Sequence, residues 1–304
     1  MLGRQSQSKP AATKPASVTI KPQRMGFSFD SKVPRYWLAN NRLMSHTMNA
    51  MSLLFPQGET FFVDSVRAFR EQITDPAFQK EISGFIGQEA MHSLEHVAMN
   101  QHVRDLGMPT DEIENHLKVL LDALRLLPKR HHLAITCALE HLTAMLADLL
   151  LERDDIREDM HETMRPLWVW HAIEETEHKG VAYDLYQAVD GSNYAERTGW
   201  LVVATLGLAA FTLYATSRMM LKDPAPFSVK DTAQGLWRMW GWNGAFSSLT
   251  GEWLKYFKPG FHPWQNDNSA LINRFKDQVE ASIAPQYRKS NRSASKGAAP
   301  QTLQ

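Results

Sequence analysis

Two glutamate–histidine pairs stand three residues apart at places where a helix would otherwise bury apolar side chains. They are Glu89 with His92, inside GQEAMHSLEH, and Glu175 with His178, inside WHAIEETEHKGVAYDLY. An offset of three puts a carboxylate and an imidazole on one helix face about one turn apart, within reach of a single cation. His96 and His171 extend the same two faces, each four residues from a member of its pair. Ionisable groups facing a core are costly unless they are paired or coordinate a metal. The chemistry this spacing offers is therefore metal ligation. Two further glutamates, Glu59 and Glu140, lie on apolar stripes and could complete such a site from facing helices.

Each of these residues has a plainer reading. Glu59 could be a first-turn glutamate that complements a helix dipole. Glu140, in the middle of an otherwise apolar helix, is harder to explain without a cation. His96 reads as a residue supporting the ligands, with direct ligation or a satisfied core histidine as alternatives. His141 follows Glu140 but points about 100° away on a helix, so it is not expected to ligate. Glu174 and Glu177 compete with Glu175, yet only Glu175 stands three before His178 and four after His171. A third pair, Glu158 with His161, lies in the acidic stretch LERDDIREDMHE and reads as solvated surface.

The elements that must position these groups are helical almost throughout, with no convincing strand, phosphate loop or nucleophile elbow. One helix is expected from PQGE at 56–59 through residue 73, with Glu59 at its head. Asp75-Pro76 is a cap and first-turn pair that opens a second helix, ending before Gly107-Met108-Pro109. A polar helix leads to Pro128, a central apolar helix spans 130–152, and another follows Pro166 to about 189, ended by Gly191. The fold class expected is all-α: a four-helix metal-binding bundle over residues 25–195, with additional hydrophobic and aromatic helices over 196–285.

The 304 residues carry no net formal charge, which lends no support to nucleic-acid binding. Cys137 is the only cysteine, so there is no intrachain disulfide or cysteine-rich zinc site, and a reducing compartment is expected. Residues 1–24 and 286–304 are polar and basic and read as disordered tails. Residues 198–217 hold no charge and are long enough to cross a bilayer; a buried or interfacial helix has the same composition. Tryptophans cluster between 237 and 264, and His262 in KPGFHPW is a candidate lid or supporting residue. The expected location is cytoplasmic, with membrane-surface contact through 198–264.

The chain resembles the bacterial family described as predicted metal-dependent hydrolases. The resemblance rests on the PxGExFF segment around Glu59, VRAFREQITDPAFQKEISGFIGQEAMHSLEH, the WHAIEETEHKGVAYDLY block and KPGFHPW. The order Glu, Glu-x-x-His, Glu, Glu-x-x-His is similar to that of ferritin-like carboxylate bundles. A histidine four residues before the final pair is a feature of the p-aminobenzoate N-oxygenase type of di-iron enzyme, and His171 holds that place. By position the resemblance implies Glu59, Glu89, His92, Glu140, His171, Glu175 and His178 as ligands. Such an oxygen-rich site suits two iron ions, with manganese or zinc as alternatives. Oxygen-activating oxidation of a small or apolar substrate is the reaction first expected, which implies an electron donor. Hydrolysis by a metal-activated water is the alternative, and a metal-storage bundle a second one. A homo-oligomer is the expected assembly.

Overall fold

The structure, a computed structural model, describes residues 13–29, 32–190 and 193–288. Among them the protein is all-α, with eleven α-helices. In chain order these are α1 (Arg42–Arg67), α2 (Pro76–Asp105), α3 (Thr110–Leu124), α4 (Lys129–Glu152), α5 (Asp154–Glu158) and α6 (Arg165–His178). Then come α7 (Val181–Asp190), α8 (Tyr194–Lys222), α9 (Val229–Trp240), α10 (Thr250–Lys255) and α11 (Ser269–Ser282). α1 runs along α2 and also meets α4, while α6 packs on α4 and α2. The four helices that carry the candidate ligands thus enclose one interior. α8 lies across α1 and α4, and α11 lies against α6.

The first helix begins fourteen residues before the expected start at 56. Asn41 caps it, its side chain accepting from the Met44 N–H. Pro56 therefore lies inside α1 and supplies no N–H to the carbonyl of Ser52. Asn100 on α2 fills that position, its Nδ2 donating to the Ser52 oxygen at 3.2 Å. With the helix N-terminus at Arg42, Glu59 has no dipole to complement there, and a first-turn role is removed.

Asp75 caps α2, accepting from Ala77 and Phe78 N–H groups, as its sequence indicates. The helix expected over 167–189 is instead two, broken after His178. Gly180 sits at the break because the Trp264 indole presses on it: a Cβ there would stand 2.9 Å from Trp264 Cδ1. Gly191, the expected terminator, lies outside the described residues.

The N-terminal tail reading also changes for its described part. Val18 and Met25 are buried, and Pro22 packs close over Gly87 of α2. Buried Glu95 holds the segment down by accepting the backbone N–H groups of Met25, Gly26 and Phe27 at 2.9, 2.6 and 2.8 Å. At the other end Tyr287 packs on Arg24, so residues 286–288 belong to the folded body as well.

Two helices, α4 and α8, are long and apolar enough to cross a membrane. α4 is mostly buried as a central core helix, whereas only 22% of the apolar window of α8 is buried.

Candidate metal centre

Glu59, Glu89, His92, Glu140, His171, Glu175 and His178 are all buried and converge in the interior. Their donor atoms form three overlapping groups: Glu59, His92 and His171; Glu89, His92 and Glu175; Glu89, Glu140 and His178. His178 Nε2 lies 3.0 Å from Glu89, 3.5 Å from Glu140 and 3.6 Å from Glu175. His92 Nδ1 lies 3.5 Å from Glu175 and 4.0 Å from both Glu59 and Glu89. His171 Nε2 lies 3.1 Å from Glu175 Oε1, and its ring stacks on that of His92 with centroids 4.2 Å apart.

Each imidazole turns one nitrogen toward the cluster; the other is hydrogen-bonded from outside in His178 and His171, and in His92 it approaches Glu174 without a hydrogen bond. His178 Nδ1 meets Gln88 Oε1 at 3.0 Å, and Gln88 in turn donates to Glu177. His92 Nε2 lies 3.2 Å from Glu174 Oε2, whose other oxygen accepts the Trp170 indole N–H. His171 Nδ1 meets His96 Nε2 at 2.7 Å.

The last of these contacts can be read for proton positions. Asn100 donates to the Ser52 carbonyl, so its amide oxygen is the atom that accepts the Ser52 hydroxyl at 2.7 Å. The Ser52 oxygen then accepts from His96 Nδ1 at 2.8 Å. Burial, with His171 and His92 alongside, holds His96 well below the usual histidine range and therefore neutral. Its remaining nitrogen accepts, so His171 Nδ1 donates. His171 Nε2, on the other side of the ring, lies 3.1 Å from Glu175 Oε1.

The inward atoms have few protein partners. Both oxygens of Glu89 and Glu140, Glu59 Oε1, Glu175 Oε2, His92 Nδ1 and His178 Nε2 are buried without a hydrogen bond. Buried polar atoms are seldom left this way, and an ion is one of the few explanations. Burial and the neighbouring carboxylates push Glu59 and Glu140 well above the usual carboxylate range. Burial would raise Glu175 too, but His178 and the other imidazoles outweigh it and hold it low. Burial and His171 push His92 down to about 3. Protein groups alone thus leave a crowded set of acids, and cations would relieve it. Against burial, Glu175 and Glu89 hold His178 well above the usual histidine range, so a cation would displace its proton. Carboxylate oxygens and deprotonated imidazole nitrogens fit that need.

Several contributors escaped sequence reasoning. Gln88, Glu174, Ser52 and Asn100 all act on the histidines, and Ser93 donates to Glu59 Oε2 at 2.8 Å. Glu174, expected only as a rival of Glu175, faces His92 from the outer side. Glu177 bonds Gln88 and does not enter the cluster. Burial pushes Glu177 up to about 7. His96 takes the supporting position. His262 does not: its Nε2 bonds Asp184 at 2.8 Å, and it joins none of the three donor groups. His141 packs on Tyr256 and Phe261, away from the donors. Glu158 is exposed, in keeping with a surface pair.

A cavity of about 480 Å³ reaches the cluster at Glu59, His171 and Glu175. Met48, Met51, Phe55, Phe62 and Leu146 form much of its wall, and Phe55 lies against His171 with centroids 4.5 Å apart. Among its other charged lining residues, Arg153 pairs with Asp155 and Arg238 with Asp159.

An all-helical protein with a buried carboxylate–imidazole cluster is the class these observations define. The family model for predicted metal-dependent hydrolases matches residues 21–267, and the chain belongs to that family. No curated protein and no solved structure matches it significantly. Metal dependence is thus supported both by the family and by the donor groups.

Proposed function

We propose that the protein is a two-metal enzyme acting on an uncharged, largely apolar organic substrate. The observation that carries this is the inward orientation of three imidazoles, two of them hydrogen-bonded from outside, onto four carboxylates with unpartnered oxygens. Glu59, His92 and His171 would hold one ion, Glu140 and His178 the other, with Glu89 and Glu175 between them. Four carboxylate charges offset two divalent cations, and a thiolate-free donor set suits iron or manganese, with zinc also accommodated. The helix arrangement is compatible with a ferritin-like bundle.

When bound, the ions supply either an acidified water and a polarised acyl oxygen, or the electrons that reduce dioxygen. Hydrolysis of an apolar ester or amide is the first reading, because it agrees with the family's description. Oxygen-dependent oxidation with an external electron donor is the second. His171 favours it by adding a third imidazole beside the apolar cavity. In either case the chain's own residues do similar work. Ser93 fixes Glu59, His96 fixes the His171 ring, and Phe55 keeps water from its face. Both arginines that line the cavity are already paired, so an anionic substrate finds no free cation there.

The readings separate in one experiment. Protein loaded anaerobically with ferrous iron is exposed to air while visible absorption and oxygen uptake are followed; zinc- and manganese-loaded samples are assayed on nitrophenyl esters of increasing acyl length. Metal-dependent ester cleavage without oxygen uptake supports hydrolysis. Oxygen uptake with new visible absorption supports oxidation. Failure of both in protein that holds metal overturns the enzyme proposal.

A further inference from the structure

We propose that the outer face of α8 and the tryptophans of α9 and its following loop form a surface that docks on an anionic lipid bilayer. α8 turns Leu201, Ala204, Ala215 and Met219 toward the body of the protein. Its other side, including Val202, Val203, Leu206 and Leu213, is exposed, with Leu206 at 66% and Leu213 at 68%. No charged residue occurs between Arg197 and Arg218. The solvent side of a surface helix normally carries charges, and large exposed apolar patches mark interaction sites. Trp237, Trp240 and Trp242 are 70%, 61% and 96% exposed. Val203 of α8 and Trp237 of α9 border the same apolar cavity, and only residues 223–228 separate the two helices in the chain.

Charge identifies the occupant. The whole chain has no net charge; between residues 197 and 258 Arg197 is buried and Arg218, Arg238 and Lys255 pair with Glu112, Asp159 and Glu252, which leaves Lys222, Lys230 and Lys258 as the exposed cations available to a partner. Exposed Lys222 ends α8. Exposed Lys258 stands at its beginning, where the Arg197 guanidinium bonds the Lys258 carbonyl at 3.2 Å. An uncharged helix face edged by lysines and exposed tryptophans is the pattern of a helix lying in the headgroup region. Basic residues beside it add attraction to anionic lipid. Interfaces between protein copies are instead depleted in lysine.

The geometry opposes spanning. The inner side of α8 is committed to α1 and α4, and buried Arg197 is tied to the carbonyls of Tyr256 and Lys258. This inference does not depend on the metal centre.

Cosedimentation of the full chain with phosphatidylcholine vesicles, with and without phosphatidylglycerol, tests it. Binding to the anionic vesicles is expected to be at least about tenfold stronger and to weaken with salt. A variant combining Trp237→Ser, Trp240→Ser and Trp242→Ser, and a second combining Leu206→Gln with Leu213→Gln, should each lose about tenfold or more in partitioning. Circular dichroism verifies that both stay folded. No binding to either vesicle, or binding unchanged in both folded variants, overturns the proposal. So does a dimer in sedimentation velocity that Leu206→Gln with Leu213→Gln makes monomeric, since the face would then belong to a second copy.

Discussion

His96 Nε2 stands 2.7 Å from His171 Nδ1, and the chain of contacts behind it, through Ser52 to Asn100, leaves only one direction for the proton between them. The chain begins at Pro56, whose missing N–H frees the Ser52 carbonyl that orients Asn100. An interruption in one helix thus helps to fix His171 Nδ1 as the donor to His96.

Breaking this chain should weaken metal binding without unfolding the protein. Partners that orient ligating histidines typically contribute about 10–100-fold to affinity. His96→Phe is expected to lose affinity on that scale and Ser52→Ala less, measured by competition with a chelator. Unchanged affinity in a folded His96→Phe protein would show that His171 needs no such support.

Removing metal should destabilise the protein, because the raised carboxylates and unpartnered atoms would remain buried. Chelator-treated protein should melt at a lower temperature. Adding ions should restore it in a saturable way, by about 2.7 kcal/mol at one hundred times the dissociation constant. A melting temperature indifferent to chelator and to ions would contradict this.

Glu95→Ala should release the N-terminal segment. Three backbone N–H groups lose a carboxylate acceptor, and hydrogen bonds to charged groups contribute about 1.5–3 kcal/mol each, without simple additivity. A loss of about 3 kcal/mol is expected, together with rapid tryptic cleavage after Arg24. Resistance to trypsin equal to that of the parent protein would refute the anchoring role.

Acid should act through His46, whose Nε2 lies 2.6 Å from Asp223 Oδ2. Burial lowers His46 more than Asp223 raises it, so its folded pKa lies below 6.5. The unfolded chain takes up the proton first as pH falls. The associated stability is complete above pH 6.5 and is lost progressively below it. His46→Gln should be less stable than the parent at pH 7.5, and the gap should narrow toward pH 5 in urea titrations. A gap that stays constant or widens would show that another group dominates.

Glu89, His92, Glu140 and His178 could be recognised in the sequence because each interrupts an apolar stripe, and a helix period converts that interruption into a shared face. The groups that orient them could not. Gln88, Ser93 and Glu174 lie beside the stripe, where a polar residue ordinarily meets water, and only the crossing of two helices brings them inward. The early start of α1 was hidden by Pro56, which reads as a helix boundary until Asn100 is seen to occupy the freed carbonyl. The break at Gly180 depends on Trp264, more than eighty positions downstream. The N-terminal segment looked unstructured because its backbone bonds go to one carboxylate instead of a regular ladder.

The central claim is that these side chains hold metal, and metal analysis of purified, reconstituted protein tests it most directly. About two ions per chain are expected in the parent protein. Glu140→Ala and His178→Ala should each hold markedly fewer while keeping the parent's circular dichroism. A parent protein that retains no ion, or folded variants that load as fully as the parent, would contradict the account.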